Sequence, residues 1–190
     1  MRTNTQLVQR NTAFLAQALT LLESLSPEVY AAREAPFDRG GVGAHLRHVL
    51  DHYDAFLEGA EQGCIDYDAR RRDSATEAEL EVARARLRRT LTRMEAFQAR
   101  GDSADRPILV VMDAGGDSEA PGLPLGETPP PTRGASSVGR ELQYLIAHTV
   151  HHFALMAVAL RLAGFEPHAD FGVAPSTLRF EARNGGPCVR

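Results

Sequence analysis

The chain has 190 residues, enough for one domain with its own core, and 43% of them are hydrophobic, close to the usual share in globular proteins. All 21 basic residues are arginine, which excludes a Schiff-base lysine, a pyridoxal-phosphate lysine and the lysine of a phosphate-binding loop. The formal net charge of -4 argues against a nucleic acid as the main partner, and no organic cofactor site is predicted.

Two segments in the first third of the chain have the apolar periodicity of amphipathic helices. The first, residues 5–25, carries leucine, alanine and phenylalanine on one helical stripe, and Pro27 follows it. The second, residues 42–62, comes after the loop APFDRGG, and Gly63 ends it. Both are predicted to bury their apolar stripe in a shared core.

A third helix is predicted over residues 76–100, with start signals in the stretch DSATEAE. Ser74 and Glu77 have the three-residue offset of a capping box, and Thr76 repeats that offset with Glu79. Leucines, alanine, methionine and phenylalanine form its apolar stripe. The opposite face is predicted to be a solvated surface, and it carries Arg84, Arg86, Arg88, Arg89 and Arg93.

The second half of the chain contains an insertion, a long helix and a tail. Residues 101–135 are rich in glycine, proline, aspartate and serine, and the apolar run 108–112 predicts a strand or small hairpin. The fourth helix, residues 136–163, is apolar nearly all round and should be the most buried, whereas the tail, residues 164–190, has too much proline and glycine for a long element. The predicted fold class is all-α: a single domain, residues 1–190, forming a four-helix bundle with a long connection between helices three and four.

Six of the seven histidines lie in two clusters, one on the second predicted helix and one on the fourth. His148 and His152 are four residues apart, so their imidazoles can ligate one ion, and a third imidazole must then come from a facing helix. The helical wheel does not favour His48 for that place, since His45 and His52 lie nearer the apolar stripe. Three neutral imidazoles with an open coordination position are typical of a site that activates a bound water or thiol.

Two stretches, GAHLRHVLDHY on helix two and AHTVHHFALM on helix four, resemble the motifs of the DinB-like (also called YfiT-like) superfamily of bacterial metal-binding four-helix bundles. The resemblance implies a ligand triad of one histidine from helix two and two, four apart, from the last bundle helix. Matched motif to motif, this triad is His48, His148 and His152. The resemblance also implies a divalent metal ion, zinc or nickel, a homodimer, and transfer or isomerisation chemistry with a low-molecular-weight thiol.

Charged residues near the histidines suggest further roles. Glu141 lies two turns before His148 and shares its face, so it is the predicted catalytic residue, acting as a general base. The same position also fits a fourth ligand, a residue that orients a histidine, or a glutamate favoured by the helix dipole. Arg47 and Asp51 flank His48 and are expected to be surface groups or a local ion pair, with Asp51 also able to hydrogen-bond an imidazole.

Three further parts of the sequence have expected roles: a charged connector, His151 and the C-terminal tail. The connector YDARRRD is expected to be a charged surface loop, or else its Tyr67, Arg70 and Arg72 bind an anionic substrate. His151 points away from His152 and is expected to support the structure or the site from outside the ligand set. The tail segment that begins at Asp170 is expected to fold back over the bundle.

The sequence therefore supports one main hypothesis and two alternatives for function. The first is a metal-dependent transferase that activates a low-molecular-weight thiol, or water, for reaction with a small-molecule substrate. The alternatives are a metal-dependent hydrolase and a dimeric helical bundle that binds or interacts without catalysis. The N-terminal residues lack the pattern of a signal peptide and no membrane span is evident, so a cytoplasmic protein is expected.

Overall fold

The computed structural model describes residues 4–33, 40–69, 73–112 and 132–185. Its described helices, in chain order, are α1 (Thr5–Ser24), α2 (Pro27–Ala31), α3 (Val42–Gln62), α4 (Ser74–Ala78), α5 (Leu80–Ala99), α6 (Val138–Leu162) and α7 (Pro175–Asn184). The four long helices α1, α3, α5 and α6 form a bundle in which α1 and α3 each pack against both α5 and α6. This architecture confirms the predicted all-α fold.

A small three-stranded sheet closes one side of the bundle. Strands β1 (Cys64–Asp66), β2 (Pro107–Met112) and β3 (Thr132–Ser137) lie in that order. β1 runs parallel to β2, and β2 pairs antiparallel with β3. The predicted strand at residues 108–112 is therefore confirmed, and the insertion contributes two of the three strands. β3 extends to Ser137, so the fourth bundle helix begins two residues later than predicted, with the Ser137 hydroxyl as its N-cap.

The predicted third helix is divided in two at Glu79, which has extended backbone angles. The two predicted capping boxes are wrong. The carboxylate of Asp73 caps α4 instead, because it accepts hydrogen bonds from the backbone N–H of Ala75 and the hydroxyl of Thr76. A fixed sequence offset cannot distinguish a capping box from a competing aspartate one residue upstream.

The core lies along α3, which is more completely buried than α6, contrary to the prediction. A buried polar network ties three helices together at its centre. The hydroxyl of Tyr53 on α3 donates to Asn11 Oδ1 at 2.8 Å, and Asn11 Nδ2 donates to the carbonyl of Leu142 on α6. Thr149 Oγ1 lies 3.2 Å from the same Tyr53 hydroxyl. Because each of these polar groups is matched by a partner on another helix, the network fixes how α1, α3 and α6 face each other.

The prediction that all five arginines of α5 form a solvated face is wrong for Arg86. Its side chain is only 7% exposed, and it donates to Asp51 at 2.7 Å and to Asp54 at 2.8 Å, both on α3. Asp51 also pairs with Arg47 four residues earlier, which confirms the predicted local pair, but Asp51 is buried rather than on the surface. A wheel drawn for α5 alone cannot show that a neighbouring helix presents carboxylates to it.

The tail folds back over the bundle as predicted. The ring of Phe171 is buried and stacks on Phe153 of α6, with ring centroids 4.8 Å apart. Gly172 has a φ of +75°, and a Cβ there would lie 2.6 Å from the backbone nitrogen of Ala154, so a larger residue would not fit. The tail nevertheless contains the ten-residue helix α7, which its proline and glycine content did not predict; Pro175 occupies the first turn of that helix, where proline is favoured.

Helix α6 is long and apolar enough to cross a membrane by length and composition alone. That finding is weak, since the core helix of a soluble bundle meets the same criteria. In the fold, α6 packs against α1 and α3 and carries Glu141 together with three histidines. These are the properties of a bundle helix that contributes to a polar site.

Candidate metal centre

Helices α3 and α6 pack side by side, and this packing brings the two histidine clusters together. Glycine allows α3 to approach its neighbour closely: a Cβ at Gly43 would lie 2.0 Å from the carbonyl oxygen of Glu77 near the end of α4. The first three turns of α3 then carry His45, His48 and His52 past the middle of α6. Gly43, in the first turn of α3, thus helps set the position of the histidines.

Three histidines converge on one point. The ligand atoms of His48, His148 and His152 all lie within 4.8 Å of one another, and the three side chains are half-buried. The Nε2 atoms of His48 and His148 are 3.1 Å apart. The separation expected for two nitrogens on one tetrahedral zinc ion is about 3.3 Å, given bonds of about 2.0 to 2.1 Å. These are the same three residues that the family resemblance assigns as ligands.

The electrostatic surroundings keep two of these imidazoles neutral. Burial, with smaller contributions from the neighbouring imidazoles, lowers the pKa of His148 to about 2. Burial and the proximity of His45 lower the pKa of His152 to about 4. At neutral pH both rings are therefore uncharged, and a neutral imidazole has the free nitrogen lone pair that a metal ion requires.

The other two histidines of α3 lie beside the triad without belonging to the converging group. His45 Nδ1 is 3.1 Å from His152 Nδ1. His52 is buried, its Nδ1–H donates to the backbone carbonyl of His48 at 2.9 Å, and its ring stacks on His148 with centroids 4.0 Å apart. The sequence left three histidines of α3 as candidates for the third ligand, and their contacts distinguish them. His48 faces the shared point, whereas His45 and His52 each contact a histidine of α6.

Aromatic side chains form one wall of the site. The ring of Tyr67 stacks on His52 at 5.3 Å, on the side away from His148. Tyr144 lies 5.1 Å from Tyr67 and 5.5 Å from His148, measured between ring centroids. Tyr144 was not among the residues predicted for the site, although its position one turn before His148 places it on the ligand face of α6.

Glu141 is buried at the start of α6 and supports this wall. Its carboxylate accepts hydrogen bonds from the hydroxyl of Tyr67 at 2.9 Å and from the hydroxyl of Ser136. Burial and the charge of Glu141 raise the pKa of Tyr67 above its ordinary value, so the phenol stays protonated. Glu141 is not one of the three residues whose ligand atoms converge.

The remaining predicted residues lie farther from the shared point. His151 is exposed and meets His152 edge to face, with ring centroids 5.1 Å apart. The hydrogen bonds described for Asp51 come from Arg47 and Arg86, so no imidazole contact is described for it. Arg70 and Arg72, the predicted partners of an anionic substrate, lie outside the described residues.

A comparison with known protein families identifies the chain. The family model of the DinB superfamily matches residues 11–156, which include all of α3 and α5 and most of α1 and α6. The chain belongs to the DinB superfamily. A comparison with curated proteins gives no match. Membership in the DinB superfamily and the convergence of three histidines are together compatible with a metal-dependent function.

The site of this DinB-superfamily protein fits a divalent transition-metal ion. Three neutral imidazoles are ligands that zinc, nickel, copper and iron all accept. Because the described cluster supplies three ligands, a tetrahedral or larger coordination shell keeps at least one position for a water or substrate atom. The residues that would hold the ion are His48, His148 and His152.

Proposed function

We propose that this protein is a metal-dependent transferase that uses a low-molecular-weight thiol as its nucleophile. The observation that carries the proposal is the convergence of three half-buried imidazole ligands from two helices, with at least one coordination position left over. A divalent ion bound there, zinc or nickel, supplies Lewis acidity that lowers the pKa of a coordinated thiol or water toward neutrality. The choice of a thiol rests on the family resemblance described above.

The residues around the triad have roles that follow from their contacts. His52 stacks against His148, and Tyr67 stacks on His52, so these rings limit the access of water to the face of His148 that His52 covers. Tyr144 lies 5.5 Å from His148, measured between ring centroids, and is only partly buried, so it can contact a bound substrate. In the transfer itself, the thiol sulfur forms a bond to an electrophilic carbon, the leaving group departs with the bonding electron pair, and the thiol proton passes to a base.

A turnover assay on metal-loaded protein tests the proposal. Purified protein loaded with zinc or nickel is given a panel of low-molecular-weight thiols and a chromogenic aryl halide, and thioether formation is followed by absorbance. We expect turnover by the wild type, no turnover above background by the double variant His148→Ala/His152→Ala, and wild-type turnover by His168→Ala, whose side chain is exposed in the tail. Metal-loaded protein that hydrolyses ester substrates but transfers no thiol would favour the hydrolase, and protein inactive in both assays would favour a binding role.

Glu141 remains the proposed catalytic residue, and its hydrogen bond with Tyr67 provides a control for the test of this role. A general base contributes about 100-fold or more to turnover, so Glu141→Gln should lower kcat by at least that factor with little change in metal affinity. Tyr67→Phe provides the matched control, because it removes the hydrogen bond from Tyr67 to the carboxylate while leaving Glu141 in place. If both variants lower kcat equally, Glu141 acts by holding Tyr67 rather than as a base.

Two partner assignments follow from the family resemblance and stay predictions: the small-molecule thiol as substrate and the homodimer. The cytoplasmic location, which was expected from the sequence itself, stays a prediction as well. Size-exclusion chromatography coupled to light scattering would check the homodimer, with a mass close to twice the 20.7 kDa chain as the expected result.

A further inference from the structure

The side chain of His45, which is outside the ligand set, contacts the side chain of the proposed ligand His152. It lies in the first turn of α3, and its Nδ1 is 3.1 Å from Nδ1 of His152 on α6. The two rings have centroids 5.2 Å apart and are tilted by 42°. Both side chains are partly buried, so water competes less for this contact than it would on an open surface.

His45 lies outside the converging triad, so its Nδ1 and that of His152 are not two ligands of one ion. A 3.1 Å contact between two such nitrogens requires a single proton between them, because two lone pairs or two N–H groups would repel each other. With its Nδ1 held by His45, His152 can bind an ion only through Nε2. Nε2 has a free lone pair in the neutral ring only if the ring proton is on Nδ1. In the metal-binding form, His152 must therefore donate and His45 must accept.

The opposite arrangement would disable the site. If His45 donated through its own Nδ1–H, the neutral His152 would carry its proton on Nε2, the one nitrogen left to bind the ion. The tautomers of the two rings are thus coupled: when the proton of neutral His45 is on Nε2, its Nδ1 can accept from His152 and so favours the tautomer of His152 that ligates. His148 has no equivalent support, since its buried Nδ1 meets no hydrogen-bond partner within the part of the chain that the structure describes.

We propose that His45 is a positioning residue that accepts a hydrogen bond from His152 Nδ1–H and so holds His152 with its Nε2 free to bind the metal ion. This inference rests on the proposed metal site and adds to it a fourth histidine that touches a ligand rather than the ion. Groups that accept a hydrogen bond from the N–H of a ligating imidazole typically raise metal affinity by about 10- to 100-fold.

Two substitutions separate the hydrogen bond from the packing of the ring. His45→Phe keeps an aromatic ring of similar size but removes the acceptor. His45→Asn removes the ring but places an amide oxygen near the position of Nδ1, where it can still accept from His152. Each variant is first compared with the wild type in melting temperature without metal, and His168→Ala serves as the control for loss of a distant, exposed histidine.

The affinity for zinc is measured by competition with a chromophoric chelator. We expect His45→Phe to bind zinc about 10- to 100-fold more weakly than the wild type, and His45→Asn and His168→Ala to bind close to the wild-type affinity. Unchanged affinity in His45→Phe would overturn the inference. Equal losses in His45→Phe and His45→Asn would overturn it as well, because the ring rather than the acceptor would then be what matters.

A second measurement keeps this inference separate from the proposed function. Nitrogen-15 NMR of the metal-free protein above pH 7 reports which nitrogen of His152 carries the proton. We expect the Nδ1–H form in the wild type and in His45→Asn, and a shift toward Nε2–H in His45→Phe. A wild type that binds no zinc would contradict the proposed metal site, yet the NMR spectra would still decide the role of His45: an Nε2–H form of His152 in the wild type would overturn it.

Discussion

Asp51 is a buried acidic residue, only 3% exposed, and it lies less than one turn of helix beyond His48. Two arginines compensate its charge, Arg47 on the same helix and Arg86 on α5. A buried carboxylate that loses a partner keeps its desolvation cost without the compensating attraction. The ion pairs therefore hold the histidine-bearing part of α3 against α5.

Replacing Arg86 should destabilise the protein strongly. We expect Arg86→Met, which keeps the length of the side chain but not its charge, to lower the free energy of unfolding by about 3 kcal/mol, the usual cost of breaking a buried ion pair. Arg88→Met is the matched control, since Arg88 pairs with Glu23 on the surface and should change stability by less than about 1 kcal/mol. Urea unfolding of both variants would check this; equal midpoints would show that Asp51 does not depend on Arg86.

At the level of single residues, the sequence predicted that the histidines form one site. It did not predict which histidine of α3 joins the converging group and which ones lie beside it. The four-residue spacing of His148 and His152 indicated a shared ion directly. The choice of His48 came from the resemblance, because the apolar stripe favoured His45 and His52. Those two residues are drawn inward by contacts with His152 and His148, and a helical wheel contains no information about a facing helix.

At the level of elements, the long helices follow from periodicity, whereas the short ones depend on contacts distant in sequence. β1 has three residues and pairs in parallel with β2, more than forty positions away, so nothing near it in the chain indicates a strand. The start of α3 and its close packing against β1 depend on glycines, and the apolar periodicity that predicts the helix gives no information about them. Gly59 is the clearest example, because a Cβ there would lie 2.5 Å from the carbonyl oxygen of Cys64.

Substitution of that glycine tests the packing of α3 against the sheet. We expect Gly59→Ala to lower the free energy of unfolding by about 1 to 3 kcal/mol, the range typical of overpacking, despite the better helix propensity of alanine. Gly134→Ala on β3 is the control, because a Cβ there would meet nothing within 4 Å. A melting temperature of Gly59→Ala equal to or above that of the wild type would contradict the close approach.

At the level of the whole molecule, the histidine cluster should make the metal-free protein sensitive to acid. Burial holds the pKa of His148 and His152 well below the value of about 6.5 expected in the unfolded chain. Between the folded and unfolded pKa values the unfolded chain binds more protons, so stability decreases as the pH falls through this window. Above about pH 6.5 both states are neutral at these rings, and the contribution is constant.

We therefore expect the melting temperature of the metal-free protein to fall steadily from pH 7 to pH 4. His148→Asn/His152→Asn, which cannot titrate at these positions, should show a shallower decline over the same range. Thermal unfolding followed by circular dichroism at several pH values would measure both curves. Parallel curves for the two proteins would place the acid sensitivity elsewhere in the molecule.

We expect His48, His148 and His152 to hold one divalent ion in this bundle. Elemental mass spectrometry of untagged protein, after incubation with zinc or nickel and removal of excess metal, would measure this ion. We expect about one ion per chain in the wild type and in His168→Ala, and none in His148→Ala/His152→Ala. A wild type without metal, or a double variant that retains its full metal content, would contradict the account.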